Sequence, residues 1–276
     1  MLASRRWRTR TYPRPPVRTR PVAGMVASLW VLLVFAAAPA SRAHFQDAAG
    51  GVRPTGMGEA YVSVADDANA GLYNPAGFAR VRGTEITGMY ADLYSNLGAR
   101  LYTGDRDRLS YQYLAAAIPG SPAVGTFGVS WLHFYSAFYK ENVFALSYGR
   151  QLAAGHLLDV GVNVKALQWM VDANTYTTDP IQYPYSEREK IGYTADAGIM
   201  SRLFEGVRIG ASVENAVPVN MALAGDHRVP MVLRGGISFI QSWRESALES
   251  LEAALEWRDR DGETNLKFGL ETWFAG

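Results

Sequence analysis

Seven residues in one short N-terminal stretch have the side chains and backbone freedom from which a site could be built: Gly56, Gly58, Asp66, Asp67, Asn74, Pro75 and Gly77. Two glycines one residue apart could let a backbone close on a phosphate. Gly56-x-Gly58, however, lacks the third glycine and the preceding strand that a dinucleotide site needs. Asp66, Asp67 and Asn69 are short acceptors suited to capping a helix that begins near Ala68. Pro75 with Gly77 forces a turn after Asn74, and shaping that turn is a simpler role for these residues than touching a ligand. Near the C-terminus Glu249, Glu252, Glu256 and Glu263 stand among Arg258 and Arg260, charges enough for an ionic cluster whose plain reading is solvation. Serines, histidines and aspartates occur, but none sits in a nucleophile-elbow context. His44, His133, His156 and His227 lack metal-ligand spacing, and the absence of cysteine removes disulfides and thiolate metal sites. The residue types therefore predict no enzyme, no metal and no cofactor.

What must position these residues is a series of short strands. Leu158, Val160, Val162, Val164 and Ala166 alternate with Asp159, Gly161, Asn163 and Lys165. Leu251, Ala253, Leu255 and Trp257 alternate with Ser250, Glu252, Glu256 and Arg258, and Leu266, Phe268 and Leu270 with Asn265, Lys267 and Glu271. Weaker alternation covers 86–93, 110–118, 124–134, 143–150, 193–203, 207–214 and 232–240, which makes ten strands in all. The connectors alternate in length. A long run through Asn96, Gly104 and Asp107 is followed by Pro119-Gly120-Ser121-Pro122, then 135–142, 151–156, the long 171–192, Phe204-Glu205-Gly206, 215–231, 241–247 and 259–263. A bilayer admits only structures that satisfy every backbone polar group internally, and a strand of about 9 to 11 residues suffices to cross it. Short turns on one side with longer loops on the other are the mark of an outer-membrane barrel. The fold class expected is all-β, an antiparallel transmembrane β-barrel with both ends of the strand series on the periplasmic side. Twenty-seven glycines, 15 tyrosines, 11 phenylalanines and 7 tryptophans suit relieved strands and interfacial aromatic girdles.

The N-terminus predicts export. The apolar run 28–38 is of signal-peptide length, and Pro39-Ala40-Ser41-Arg42-Ala43 supplies small residues before a cut at His44. Upstream, Arg5, Arg6, Arg8, Arg10, Arg14, Arg18 and Arg20 form either a long basic leader or an over-extended start, with Met25 the alternative initiator. Without residues 1–43 the formal charge falls from +1 to −7, which argues against nucleic-acid binding. The expected domains are thus the signal peptide at 1–43, an N-terminal segment at 44–83 and the barrel at 84–276.

The stretch 51–78, from Gly51-Val52-Arg53-Pro54 through Asp66-Asp67 to Asn74-Pro75-Ala76-Gly77-Phe78, resembles the start of outer-membrane barrels of the PorV/PorQ (UPF0164-type) family, within the wider FadL-like group. Gly210 to Pro218 and Val229 to Gly236 resemble the strand, loop and returning strand of PorV/PorQ members, with Asn215-Ala216 departing from the usual Asn-Leu-Gly. The resemblance implies that 44–83 is a plug or hatch in the periplasmic mouth. It also makes Gly56, Gly58, Asp66, Asp67, Asn74, Pro75 and Gly77 the hatch or ligand residues. Relatives have about fourteen strands, so a chain showing ten is expected to be a fragment, with a closed ten-stranded barrel as the alternative.

Three functions follow from the resemblance. The first is passive transport of hydrophobic or amphipathic small molecules across the outer membrane. The second is a barrel that receives or shuttles secreted proteins in a type IX-like secretion system, and the third is an orphan structural barrel. Expected partners are outer-membrane lipid and either a hydrophobic small molecule or secreted proteins, with no nucleic acid.

Overall fold

The computed structural model describes residues 50–93, 109–136, 138–172, 188–223, 228–243 and 248–274. The signal peptide expected at 1–43, Tyr176, Tyr183, Pro184 and Tyr185 of the 171–192 connector, His44 and His227 lie outside them. Ten strands form one sheet: β1 Glu85–Asp92, β2 Ser110–Pro119, β3 Thr126–Tyr135, β4 Tyr139–Ala153, β5 Leu158–Val171, β6 Glu189–Phe204, β7 Val207–Glu214, β8 Val232–Ser242, β9 Leu248–Arg260 and β10 Glu263–Phe274. Each pairs antiparallel with its neighbours in sequence, the meander that hairpin connections enforce.

All ten expected strands are present, and several run further than alternation alone indicates. β4 starts at Tyr139 rather than Val143, because Lys140, Glu141 and Asn142 break the apolar pattern without breaking the ladder. Asn142 is held inside the sheet by Gln168, and its Oδ1 accepts from Trp131 Nε1 at 2.9 Å. β6 likewise begins at Glu189, so the connector expected to reach Gly192 ends earlier. The Asp259 to Glu263 connector shrinks to Asp261-Gly262, both with positive φ (50° and 84°), a tight hairpin turn.

The pleat sorts the side chains as the period predicts. On β5 Val162 and Val164 are exposed, whereas Asp159, Asn163 and Lys165 between them are buried. On β10 Leu266, Phe268 and Leu270 point outward as well. A face of exposed Ile, Leu, Val and Phe beside an interior of Asp, Lys, Arg and Glu inverts the pattern of a water-soluble sheet, and it suits lipid outside and a polar lumen inside. Aromatic pairs such as Phe127–Tyr148 and Trp131–Phe144 stand on this wall as well.

Residues 50–83 fill the lumen. They comprise a short helix α1 (Val52–Gly56), a second helix α2 (Ala70–Tyr73) and a 3₁₀ turn over Pro75–Arg80. Tyr61, Val62, Val64, Ala65 and Ala76 are fully buried, and Tyr61, Val64 and Ala65 pack in one cluster with Tyr113, Ala115 and Ala117 of β2 and Ala254 of β9. Burial of each larger apolar side chain here contributes about 1.5–3 kcal/mol. Arg53 of this segment reaches Glu271 on β10, and Ala68 N donates to Glu85 on β1, so the sheet curls round the segment from its first strand to its last. Among the described residues no ladder joins β10 to β1.

Candidate functional site

Residues 50–83, the segment expected to be a hatch and called so below, are seated on glycines. Gly149, Gly161 and Gly198 are direct partners across β4, β5 and β6. A β-carbon at Gly149 would meet Pro75 O at 2.7 Å; one at Gly161 would strike the Pro75 carbonyl and one at Gly198 the Asn74 side chain. Gly128 makes room for the Phe78 ring, Gly210 and Gly236 for Val62, and Gly269 for Met57. Seven strands thus each place a glycine against the same 22-residue span of chain, Met57 to Phe78, so the lumen wall is moulded to the hatch backbone.

Charge then clamps what the glycines admit. Arg53 donates to Glu271 Oε1 at 2.9 Å, to Asp66 Oδ1 at 2.7 Å, to Asp67 Oδ2 at 3.1 Å and to the Tyr61 hydroxyl at 2.7 Å. Burial works against the Arg53 charge, but Glu271 and Asp66 outweigh it and raise its pKa further. Burial also pushes the Tyr61 phenol well above its ordinary value. Asp66 further meets Arg208 of β7, which pairs with Glu252 of β9. Glu256 of β9 accepts from the backbone N–H of Tyr61 and of Val62, each at 2.8 Å, while its other oxygen accepts from Arg234 Nη1 at 2.9 Å. Arg80 donates to the buried Asp159 at 2.8 Å, and Lys267 of β10 pairs with Glu59. Arg53, Glu59, Asp66, Asp67 and Arg80 therefore each find a counter-ion within the segment or on the wall, as burial of charge demands.

The sequence-predicted residues fall into this seat. Asn74 Nδ2 donates to Val62 O at 2.8 Å and to Ile199 O at 3.0 Å, and its Oδ1 accepts from Ala76 N, capping the 3₁₀ turn that Pro75 opens. Gly77 packs against the Ala65 carbonyl, at 2.5 Å from where its β-carbon would lie. Gly58 has φ +58° and abuts Phe268 O, whereas Gly56 faces open space. The acidic residues do not cap a helix at Ala68. α2 starts at Ala70, and Asp67 instead accepts from Asn69 N at 2.8 Å in a turn before it, because Arg53 draws both aspartates sideways. Glu252, Glu256 and Arg258 are buried in the lumen, while Glu249 and Glu263 are exposed on the outer part of the sheet, so the six-residue ionic cluster divides in two. Sequence reasoning missed Arg53, Glu59 and Arg80, which no alternation frames. Arg208 and Arg234 were findable as charges in the inward phase of β7 and β8.

On the other side of the hatch lies a chamber that encloses about 80 Å³ and opens into a wider mouth. Its floor is Gly71, Leu72 and Tyr73 of α2. One wall is apolar, with Leu132, Phe134, Val143 and Leu167, and Phe134 lies against Tyr111 with ring centres 5.0 Å apart. The other is charged, with Lys165, Asp196, Glu214 and Arg234. Lys165 Nζ meets Asp196 at 2.8 Å, and Asp196 also accepts from Asn163 Nδ2 and from Asn215 N, each at 2.8 Å. Asn215 adopts φ +55° and ties the following loop through Pro230 O. Such an arrangement offers an apolar surface and fixed dipoles, without a positioned nucleophile.

No protein family and no curated protein matches the sequence. Among solved structures, the fold is similar to that of "CymD monoaromatic hydrocarbon channel", with a TM-score of 0.51 and 13% identity, covering 84% of this chain and 78% of that one. The likeness is one of fold: an antiparallel barrel.

Proposed function

We propose that this chain is a passive outer-membrane channel for hydrophobic small molecules, a FadL-like barrel with a PorV/PorQ-type hatch, exported by the signal peptide at 1–43. The observation that carries the reading is the chamber above the hatch, apolar on the side of Leu132, Phe134, Val143 and Leu167 and enclosed by a lipid-facing sheet. The chamber encloses only about 80 Å³ behind its open mouth, far too little for a folded secreted protein. The named function of the similar channel agrees with this direction. Passage requires no covalent step, and the hatch sets how fast the lumen opens.

The test is uptake. The full chain is expressed in a Gram-negative host without a hydrocarbon channel of its own, and entry of radiolabelled toluene is timed. Faster entry than in a host carrying the empty vector is expected. Unchanged entry with the barrel folded in the outer membrane, combined with co-purification of secreted proteins, would replace the channel by the shuttle.

A further inference from the structure

Two cations reach for one carboxylate where the hatch leaves for the first strand. Asp159, with none of its side chain exposed, stands on β5 just after the β4–β5 turn, at the end of the sheet where β1 also starts. Its Oδ2 accepts from Arg80 Nε at 2.8 Å, and its Oδ1 meets His156 Nδ1 at 2.9 Å. Arg80 closes the 3₁₀ turn of the hatch, and its Nη2 is buried with no hydrogen-bond partner among the described residues. Burial holds the Arg80 pKa below its ordinary value against the pull of Asp159, so this cation depends on that carboxylate. His156 keeps 35% of its side chain in solvent and has φ +58°, a backbone angle that residues other than glycine rarely adopt. Solvent protons therefore reach the histidine while the ion pair behind it stays covered.

We propose that the β4–β5 turn is a pH-sensitive catch for the hatch: while His156 is neutral Asp159 holds Arg80, and protonation of His156 draws the carboxylate to the histidine and frees the end of the hatch. Histidine is the side chain whose charge ordinarily changes between about pH 5 and 8. With His156 neutral, Arg80 meets a full negative charge. With His156 protonated, the His156–Asp159 pair is close to neutral and a second cation stands beside Arg80, so the hold is present above the histidine range and is lost as pH falls through it. The surrounding charges do not make up the loss. Asp159 faces Gln151 on β4 and Met200 on β6 across the ladder, and neither is charged. Arg202 of β6 approaches the turn at Gly155, Arg208 of β7 repels Arg80, and Asp66 of the hatch attracts it more weakly than Asp159 does. The catch stands apart from the channel reading, whereas its effect on passage rests on that reading.

Hydrogen–deuterium exchange on the full chain in lipid nanodiscs decides it, read as protection factors corrected for the intrinsic pH dependence of exchange. Lowering the pH from about 8 to about 5.5 should cut protection at 76–81 about fivefold, the scale of one partly exposed ion pair, while β5 and β6 keep theirs. His156→Gln should hold protection at the high level at both pH values, and His156→Lys should hold it at the low level at both. His133→Gln, whose native ring meets Asn142 on β4, should leave the wild-type profile unchanged. Should His156→Gln fail to show the gel shift of a folded barrel, the wild-type profile and His156→Lys carry the test. Protection that does not change with pH in the wild type, that falls equally in His156→Gln, or that falls in β5 and β6 as well overturns the catch. Toluene entry at the same two pH values separates the readings: no entry at either, with the protection response intact, leaves the catch standing and overturns the channel.

Discussion

At Gly161 the position of a β-carbon is already taken by the Pro75 carbonyl, and at Gly198 by the Asn74 amide. Neither neighbour is the loose end of a flexible side chain. Gly161→Ala and Gly198→Ala should each therefore unseat the hatch, at a cost of about 1–3 kcal/mol. The expected readout is faster protease cleavage within 50–83 while the barrel itself still migrates as a folded species before boiling. Resistance equal to wild type would mean that the hatch slides over the glycine row instead of resting on it. These glycines stood in the sequence as members of the inward phase, but their purpose did not. Only the arrival of a segment some 85 to 125 residues earlier in the chain gives them a neighbour to accommodate.

Among the elements, the segment before β1 stands out in the sequence because its Gly, Asp-Asp and Asn-Pro-Ala-Gly text breaks the strand period that begins at Glu85. Its clamps are less legible, since Arg53 finds Glu271 across 218 residues and no local pattern links them. Arg53→Ala removes the one side chain that gathers Asp66, Asp67, Tyr61 and Glu271, leaving three partly buried carboxylates without it. Breaking a buried ion pair costs about 3 kcal/mol or more, and the loss should appear in the hatch rather than in the sheet. In planar bilayers the variant should show larger or more frequent openings than wild type. Unaltered conductance with accelerated amide exchange at 52–67 would instead make Arg53 a purely structural anchor. Asn74, whose three polar contacts are all spent on Val62, Ile199 and Ala76, belongs to the same class of holding residues.

For the molecule as a whole, the solvent on each face of the sheet sets what a substitution costs. Val164 lies outward near the middle of β5, and Leu203 lies outward beside the short Glu205-Gly206 turn. A lysine at the bilayer midplane costs about 2–4 kcal/mol, against about 0–1 near the interface. Val164→Lys should accordingly lower the midpoint of urea unfolding in lipid vesicles much more than Leu203→Lys, and equal effects would place this face against water. That face was readable from the sequence, because a period of two needs only neighbouring residues to declare it. The ten strands and their order were readable for the same reason, as hairpins pair what lies adjacent in the chain, whereas the 135–142 and 259–263 connectors are tighter than expected. Strand ends were not, since Lys140 to Asn142 stay in the ladder through cross-strand partners that alternation cannot register. What the tertiary structure alone decided is the interior: which glycines receive the hatch and which arginines meet which carboxylates. Those contacts join residues far apart in sequence, and curling the sheet around its own N-terminal segment is the step that brings them within hydrogen-bonding distance.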